Sequence, residues 1–420
     1  MSRFVRYSSL FALLLPGATG CVSQLTTTAG LFRADRTVPP VVRVRLPDPG
    51  SELIVSTTDR MLIRIPEQPT GAILTYSTHA SVQLTIHNGG IDVISADGAR
   101  LGLDLNGLTI QTVNDDGVLT VNGIAHSGCL IVGRDNAEIQ VVNRLNLDDY
   151  LTGVLQPELG ERRDDEIEAV KAQAVAARTY ALAHLGQYES KSYDLHADVS
   201  DQVYLGRSQR RDWVDRAVSA TAGEVIRSDG HLIDAFYHST CGGSTDAIED
   251  IWGSSPRPYL QRVVDDTFCL WSKYTEWTEE FDEPTLTGNL RSYRRLLRDA
   301  PIADFDRITD IRLDGRTAGG RYRRLTVETS SGIWTILDDK IRWALGRPSR
   351  PGTILPSSNF TLEPTRDADG RVVGAVVHGT GYGHGVGMCQ CGMIGRARDG
   401  ERYDIILTTY YPGTEVVRVY

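Results

Sequence analysis

Between Val41 and Asn143 the chain repeats one device: a short segment of alternating apolar and polar residues, then a cluster of turn formers. The segments include "VVRVRL", "ELIVST", "MLIRI", "SVQLTIHN", "IDVISA", "GLTIQTV", "GVLTVN" and "IQVVN", separated by "PDPG", "NGG", "ADG", "LNG" and "NDDG". A period of two buries one face of a strand, and Gly, Asn and Asp supply the positive φ that two-residue hairpin turns require. A helix cannot satisfy that pattern. Residues 41–143 therefore predict a β-rich N-terminal domain. No chemistry-bearing cluster falls within it, which suits a scaffold.

The texture changes at Asn146. In "NLDDYLTGVL" Asn146 stands at an N-cap, with Asp148 and Asp149 in the first helical turn, where the macrodipole favours acids. Pro157 predicts the end of that helix and puts Glu158 in a loop. A second helix is expected from about Asp164 to Leu185, with Ile167, Val170, Ala174, Ala177, Ala181 and Leu185 on one face. A helix near 210–221, the hairpin "GEVIRS-DG-HL", strands at "RITDIRLDG" and "YRRLTVETSSGIWTIL", a helical turn at "IRWALG", a helix near 404–411 and a last strand at "EVVRVY" complete the reading. The class is α+β, with residues 144–420 as the second domain.

Composition narrows the functions. The 420 residues carry a net charge of −10, which argues against a nucleic-acid partner. At the start, Arg3 and Arg6 precede the apolar "LFALLLPGA", and "ATGC" leads to Cys21. This is export grammar. A cysteine after Thr-Gly resembles a lipobox, although Ala18 stands where leucine is usual. Residues 1–20 thus read as a lipoprotein signal peptide, Cys21 as the lipidated residue and 21–40 as a tether. The expected location is the cell envelope, with the membrane reached by the lipid anchor only.

In "GYGHGVGMCQCG", glycine occupies every second position from Gly381 to Gly387 around His384. Such a run needs positive φ or the close approach of a backbone or ligand. The spacing matches neither phosphate-binding glycine pattern. In "YHSTCGGST", His238, Ser239, Thr240 and Cys241 end a strand before two glycines. A Ser–His or Cys–His nucleophile is one reading, but no nucleophile elbow accompanies it. Sugar binding fits the hydroxyls and the imidazole better.

Six stretches occur in an order that resembles the stage II sporulation protein D family and its relative, the amidase enhancer LytB. They are "VVNRLNLDDYLTGVLQPELG", "EAVKAQAVAARTYALAH", "SYDLHADVSDQVYLG", "AFYHSTCGGST", "IRWALG" and "GYGHGVGMCQCGMIGRARDGERYDIILTTYYPGTEV". The resemblance covers most of residues 115–420. It implies peptidoglycan glycan strands as the target and lytic transglycosylase activity, with Glu158 at the family's catalytic glutamate. The flanking "E-M-P" of the family reads "E-L-G" here. One glutamate suffices if the sugar's own C6 hydroxyl attacks, whereas ordinary glycosidases use two carboxylates. An acid in that role needs a raised pKa. The alternative implied by the amidase enhancers is a non-catalytic peptidoglycan-binding activator, with a cell-wall amidase as partner.

With glycan as the target, the bare backbone of the glycine run is read as one wall of a groove for an extended strand. Gly383, His384, Gly385 and Gln390 would bind glycan with His238, Ser239 and Thr240, and Arg178 would meet a lactyl carboxylate or a structural acid. Sporulation members hold zinc with a cysteine and a His-Cys pair between "YDL" and "QVY". Here His196 and Ser200-Asp201 stand at those positions, so zinc is expected to be lost there and no cofactor is expected. Export exposes the other cysteines to oxidation. A Cys241–Cys269 bridge is expected, closing a loop of about thirty residues and contributing roughly 3–4 kcal/mol, with Cys389 nearby and Cys129 buried and reduced. The competing arrangement is a metal held by Cys241, Cys269 and Cys389 with help from His238.

Overall fold

The computed structural model describes residues 38–65, 73–75, 80–188, 191–209 and 211–420. The signal-peptide, tether and Cys21 readings lie outside the described residues. The alternating segments form two antiparallel sheets. The strands Val41–Arg45, Met61–Arg64, Leu108–Thr112, Cys129–Asp135 and Glu138–Asn146 belong to one, which gains a parallel edge from Leu195–His196. The strands Glu52–Thr57, Ser81–His87, Gly90–Ser95, Arg100–Leu105, Leu119–Val121 and Ile124–His126 make the other. Inward residues such as Val42, Val44, Leu53, Val55, Leu84 and Val93 are fully buried. The turn residues behave as their types demand: Asn88 and Gly89 have φ of 49° and 85°, Asn122 and Gly123 46° and 88°, the type I′ signature that matches strand twist.

The helices follow in order: α1 (Leu147–Leu159), α2 (Ile167–Ala183), α3 (Asp212–Ala220), α4 (Ile248–Trp252), α5 (Glu283–Leu296), α6 (Lys340–Leu345), α7 (Gln390–Arg398) and α8 (Tyr403–Tyr410). Asn146 caps α1 as expected, its Oδ1 accepting from the Asp149 amide at 2.8 Å. Most of α2 is buried, including Ala172, Ala174, Ala176, Ala177 and Ala181. A helix buried all round must be small and apolar all round, and the alanines let α1, α3, α7, α8 and the strand Glu224–Ser228 close on it. The hairpin at Asp229-Gly230 forms with φ of 50° and 77°, and its first strand also pairs with Glu415–Arg418.

The described residues form two hydrophobic cores. One joins the sheets to α1, α2, α3, α7 and α8 without a break at residue 143. The other, from Trp277 to Val377, packs α5 and α6 against the sheets Trp277–Asp282/Phe360–Arg366/Val372–Gly379 and Ile308–Arg316/Tyr322–Thr329/Gly332–Leu337. The chain leaves the first core near Cys269 and re-enters it at Val386. The glycine run is the return path.

Candidate functional site

Glu158 sits in the last turn of α1, not in a loop, because the helix runs through Pro157. Proline has no N–H for the carbonyl four residues back, which is that of Gly153. That carbonyl is satisfied from outside, accepting from the Leu205 amide at 3.1 Å. Gly153 makes the approach possible: a Cβ there would lie 2.4 Å from the Tyr204 ring and 2.8 Å from the Gly206 carbonyl. The "QVYLG" segment is thereby laid against α1, and it brings the Val203 amide to Glu158.

The Glu158 carboxyl is held on both oxygens. Oε1 accepts from the Val203 amide at 3.0 Å and Oε2 from Gln390 Nε2 at 3.2 Å, and the Tyr237 hydroxyl also bonds the carboxyl. Behind it Gln202 donates to Tyr237 Oη at 3.0 Å and accepts from Tyr150 Oη at 3.0 Å. Burial raises the Glu158 pKa above the ordinary carboxylate value, and the three hydrogen bonds oppose that shift without reversing it. The side chain is half-buried and opens on a cleft of about 440 Å³. Ser239 and Gln390 line the cleft beside it, with Trp271, Ser272, Lys273 and Tyr274 along one wall and Arg162 on another. Among the described residues lining the cleft, Glu158 is the only carboxylate.

The other expected site residues divide. Ser239 and Gln390 face the cleft. Thr240 is buried behind it, its hydroxyl 2.8 Å from Ser272 Oγ. Arg178 does not reach the cleft: it is fully buried, bonded to Asp148 at 3.0 Å, to Tyr420 Oη at 3.0 Å and to the Glu224 carbonyl at 3.2 Å. The structural acid is its partner. His238 also points away, since successive strand residues face opposite sides; Tyr237 faces Glu158, and His238 Nδ1 lies 3.2 Å from the Val386 carbonyl.

The glycine run does not line the Glu158 cleft. Gly381, Gly383, Gly385 and Gly387 have φ of 82°, 107°, 85° and 71°. A Cβ on each would meet the Thr240 carbonyl at 2.8 Å, His238 Cβ at 2.7 Å, the Arg321 guanidinium at 2.2 Å and the Phe236 carbonyl at 2.1 Å. The glycines are bare because protein, not glycan, fills that space. His384 braces the crossing: its Nε2 is 2.9 Å from the Tyr237 carbonyl, and Nδ1 accepts from the Val386 amide at 3.1 Å. That arrangement suits a neutral ring, and burial pushes its pKa down to about 4.

His196 and Asp201 make no zinc cage. Asp201 accepts from the His196 amide, Tyr180 Oη and Gln187 Nε2 at 2.8, 3.0 and 2.9 Å, and the His196 ring packs edge-on against Tyr188 and Tyr193. Those donors already occupy the carboxylate, and two ligands fall short of a structural zinc set. The Cys241–Cys269 bridge is a correction: both thiols are free, 3.5 Å apart, with Cys389 and Asp265 against them. Cys129 is buried as expected. Residues that sequence reasoning missed are Tyr150, Gln202, Val203 and Tyr237, which hold the acid, and Arg162, Trp271, Lys273 and Tyr274, which line its cleft. The first four lie inside the quoted motifs; only their convergence in space assigns them a role.

Comparison with known proteins covers the same elements. A family model described as stage II sporulation protein matches residues 135–227, which carry α1, Glu158, α2 and the "QVYLG" segment. A domain of unknown function, DUF8618, matches 271–387, nearly coincident with the second core. An uncharacterized protein of Brachyspira hyodysenteriae is 31% identical over 332 residues, spanning 76% of this chain and 80% of its own length. The stage II sporulation protein D of Bacillus subtilis is 26% identical over 66% of this chain and 76% of its own. The amidase enhancer of Bacillus subtilis is 29% identical over 59% of this chain, but only 38% of its own length is matched. The chain belongs to the stage II sporulation protein D and amidase enhancer family.

Proposed function

We propose that this protein cleaves peptidoglycan glycan strands as a lytic transglycosylase, with Glu158 as both acid and base. The observation that carries the reading is a lone desolvated carboxyl on a cleft, hydrogen-bonded on both oxygens and without a second carboxylate among the described lining residues. Two-carboxylate hydrolysis lacks its second group there. In the proposed reaction the protonated Glu158 gives its proton to the glycosidic oxygen as the bond to the anomeric carbon breaks. The carboxylate then takes the proton of the C6 hydroxyl as that oxygen closes on the anomeric carbon. A 1,6-anhydro sugar and a shortened strand leave, and Glu158 is protonated again.

The cleft wall supports the substrate class. Trp271 is 43% exposed, and its indole N–H is tied to the Cys391 carbonyl at 3.0 Å, so the ring is fixed as a platform for a sugar face. Tyr274 stacks near Tyr382 with centroids 4.3 Å apart. Arg162 brings a cation: its Nε and Nη1 have no hydrogen-bond partner among the described residues, while Nη1 lies 3.6 Å from Glu166. Arg162, rather than Arg178, is assigned here to the lactyl carboxylate of a muramyl residue.

Purified protein given peptidoglycan, with or without stem peptides, should release 1,6-anhydro-muramyl ends, and Glu158→Gln should release none. Reducing ends in place of anhydro ends would make the reaction a hydrolysis. A second reading comes from the relative named amidase enhancer: the protein binds wall and activates a cell-wall amidase. It predicts no glycan product from the wild type and stimulation of amidase that survives Glu158→Gln. The proposal includes a lipid anchor through Cys21 in the cell envelope; Cys21→Ser should move the protein from the membrane fraction to the soluble one.

A further inference from the structure

Three segments of chain meet behind the cleft, and each delivers a metal-binding atom to one point. Cys241 follows shortly after the strand Tyr237–His238, Asp265 and Cys269 come from the turn that leads to Trp271, and Cys389 is the N-cap of α7. All four side chains are fully buried. Their ligand atoms lie within 4.8 Å of one another. Cys241 Sγ is 3.5 Å from Cys269 Sγ and 3.4 Å from Asp265 Oδ2.

The surroundings hold these atoms as ligands are held. Cys389 Sγ accepts the Cys241 amide at 3.2 Å and the Gly392 amide at 3.3 Å, the second at the amino end of α7. Asp265 uses Oδ1 for Tyr410 Oη at 2.6 Å and Arg396 Nε at 3.3 Å. This aims Oδ2 at the sulfurs, as outer-shell hydrogen bonds orient carboxylate ligands. Gly392 keeps the space clear: a Cβ there would lie 1.8 Å from Oδ2. Without a cation, three thiols and a carboxyl confront each other in a dry interior with one guanidinium nearby, an expensive arrangement.

We propose that Cys241, Cys269, Cys389 and Asp265 bind one zinc ion as a closed structural site. Three sulfurs and one oxygen suit zinc and exclude magnesium and calcium, which want oxygen cages. Size decides between a single ion and a cluster. Tetrahedral Zn–S bonds of about 2.3 Å set sulfurs about 3.8 Å apart, which matches this spacing, whereas an iron–sulfur cubane needs far wider separation. The site differs in place and ligands from the pair at His196 and Asp201. Its role follows from what it joins. The ion would pin the segment bearing Ser239, the turn bearing Trp271 and Tyr274, and the helix start bearing Gln390, which bonds Glu158.

The test is metal content, independent of glycan cleavage. Full-length protein purified under reductant should carry about one zinc per chain by elemental analysis. Replacement with Co²⁺ should give thiolate-to-cobalt charge-transfer absorption and the visible bands of a tetrahedral ion. Cys389→Ser and Cys269→Ser should lose the zinc and the charge-transfer band. Cys391→Ser should keep both, since that sulfur is engaged with the Thr240 hydroxyl at 3.4 Å and is not a ligand. Folded, reduced wild type that takes up neither zinc nor Co²⁺ overturns the site. So does a Cys241–Cys269 disulfide found by mass spectrometry in freshly isolated protein. Should a serine variant misfold, the wild-type Co²⁺ spectrum still decides.

Discussion

The glycine run and the Glu158 cleft lie on opposite faces of the same short strand, Tyr237–His238, and they use unusual residues for opposite reasons. On the His238 side, Gly381 to Gly387 are demanded by neighbours that occupy the Cβ positions, and His384 has both nitrogens committed. On the Tyr237 side, hydrogen bonds from Val203 and Gln390 converge on one carboxyl that still opens to a cleft. A residue type out of the ordinary marks constraint. Whether the constraint is packing or chemistry depends on whether solvent-filled space remains beside it.

The sharpest way to break this contrast is to exchange the consequences. Glu158→Gln should lower glycan cleavage by roughly 10²-fold or more, in the range of lost general acids. Its melting temperature should change little: the new amide oxygen still accepts from the Val203 amide, the new NH2 can bond Gln390 once that side chain turns its oxygen inward, and no charge is buried. A large stability loss instead would make Glu158 a packing residue. On the other face Gly387→Ala should cost about 2–4 kcal/mol of folding free energy in denaturant titration, from a positive φ and a clash with a backbone carbonyl that cannot yield. Native stability in that variant would mean the run is looser than its contacts imply.

The pH dependences should also separate. Glu158 has a raised pKa in the folded state; its protonated form persists above the usual carboxylate range, so cleavage should fall as pH rises through the raised value. By linkage, its contribution to stability is present below the unfolded pKa and lost as pH rises through the folded one, and Glu158→Gln should remove that term. His384 runs the other way. Its pKa is pushed down to about 4, so its neutral form supports the fold above the unfolded value of about 6.5 and that support is lost as pH falls toward 4. His126, also near 4 through burial, adds to the same window. Chemical denaturation between pH 7 and 4 should show stability falling with the histidines, and falling more steeply in Glu158→Gln, which lacks the opposing Glu158 term. The smallest effect is expected at the cleft wall: Trp271→Ala should weaken binding of purified glycan strands by about 1 kcal/mol, in line with loss of an aromatic platform, with little change in stability.

Much of the architecture was legible because it rests on local rules. Period-two alternation with Asn-Gly and Asp-Gly turns specified the hairpins, Asn146 specified the start of α1, and the alanine pattern specified a closely packed α2. The reading of Pro157 failed because the proline rule is local, while its remedy, the Leu205 amide on the Gly153 carbonyl, comes from about fifty residues away. The strand Trp277–Asp282 and helix α7 were missed in stretches whose apolar residues show no clear period. Glu158 stood out through a resemblance and not through any local pattern. The residues holding it come from 150, 202–203, 237 and 390, and no spacing announces such a meeting.

The cysteines mark the limit most clearly. Counting thiols and loop length favoured a two-way bridge between Cys241 and Cys269, because a bridge needs only two positions and a loop. The folded chain adds Cys389 from the start of α7 and Asp265, aimed by Tyr410 and Arg396. By itself the sequence determined most of the elements, the strand and helix periods and the capped helix start, since each depends on residues within a turn or two of one another. Only the tertiary structure decided which side of a strand faces the cleft, which glycines are filled from behind and which four ligand atoms share a point. Those depend on segments that approach within a few ångströms in space while standing tens to hundreds of residues apart in the chain.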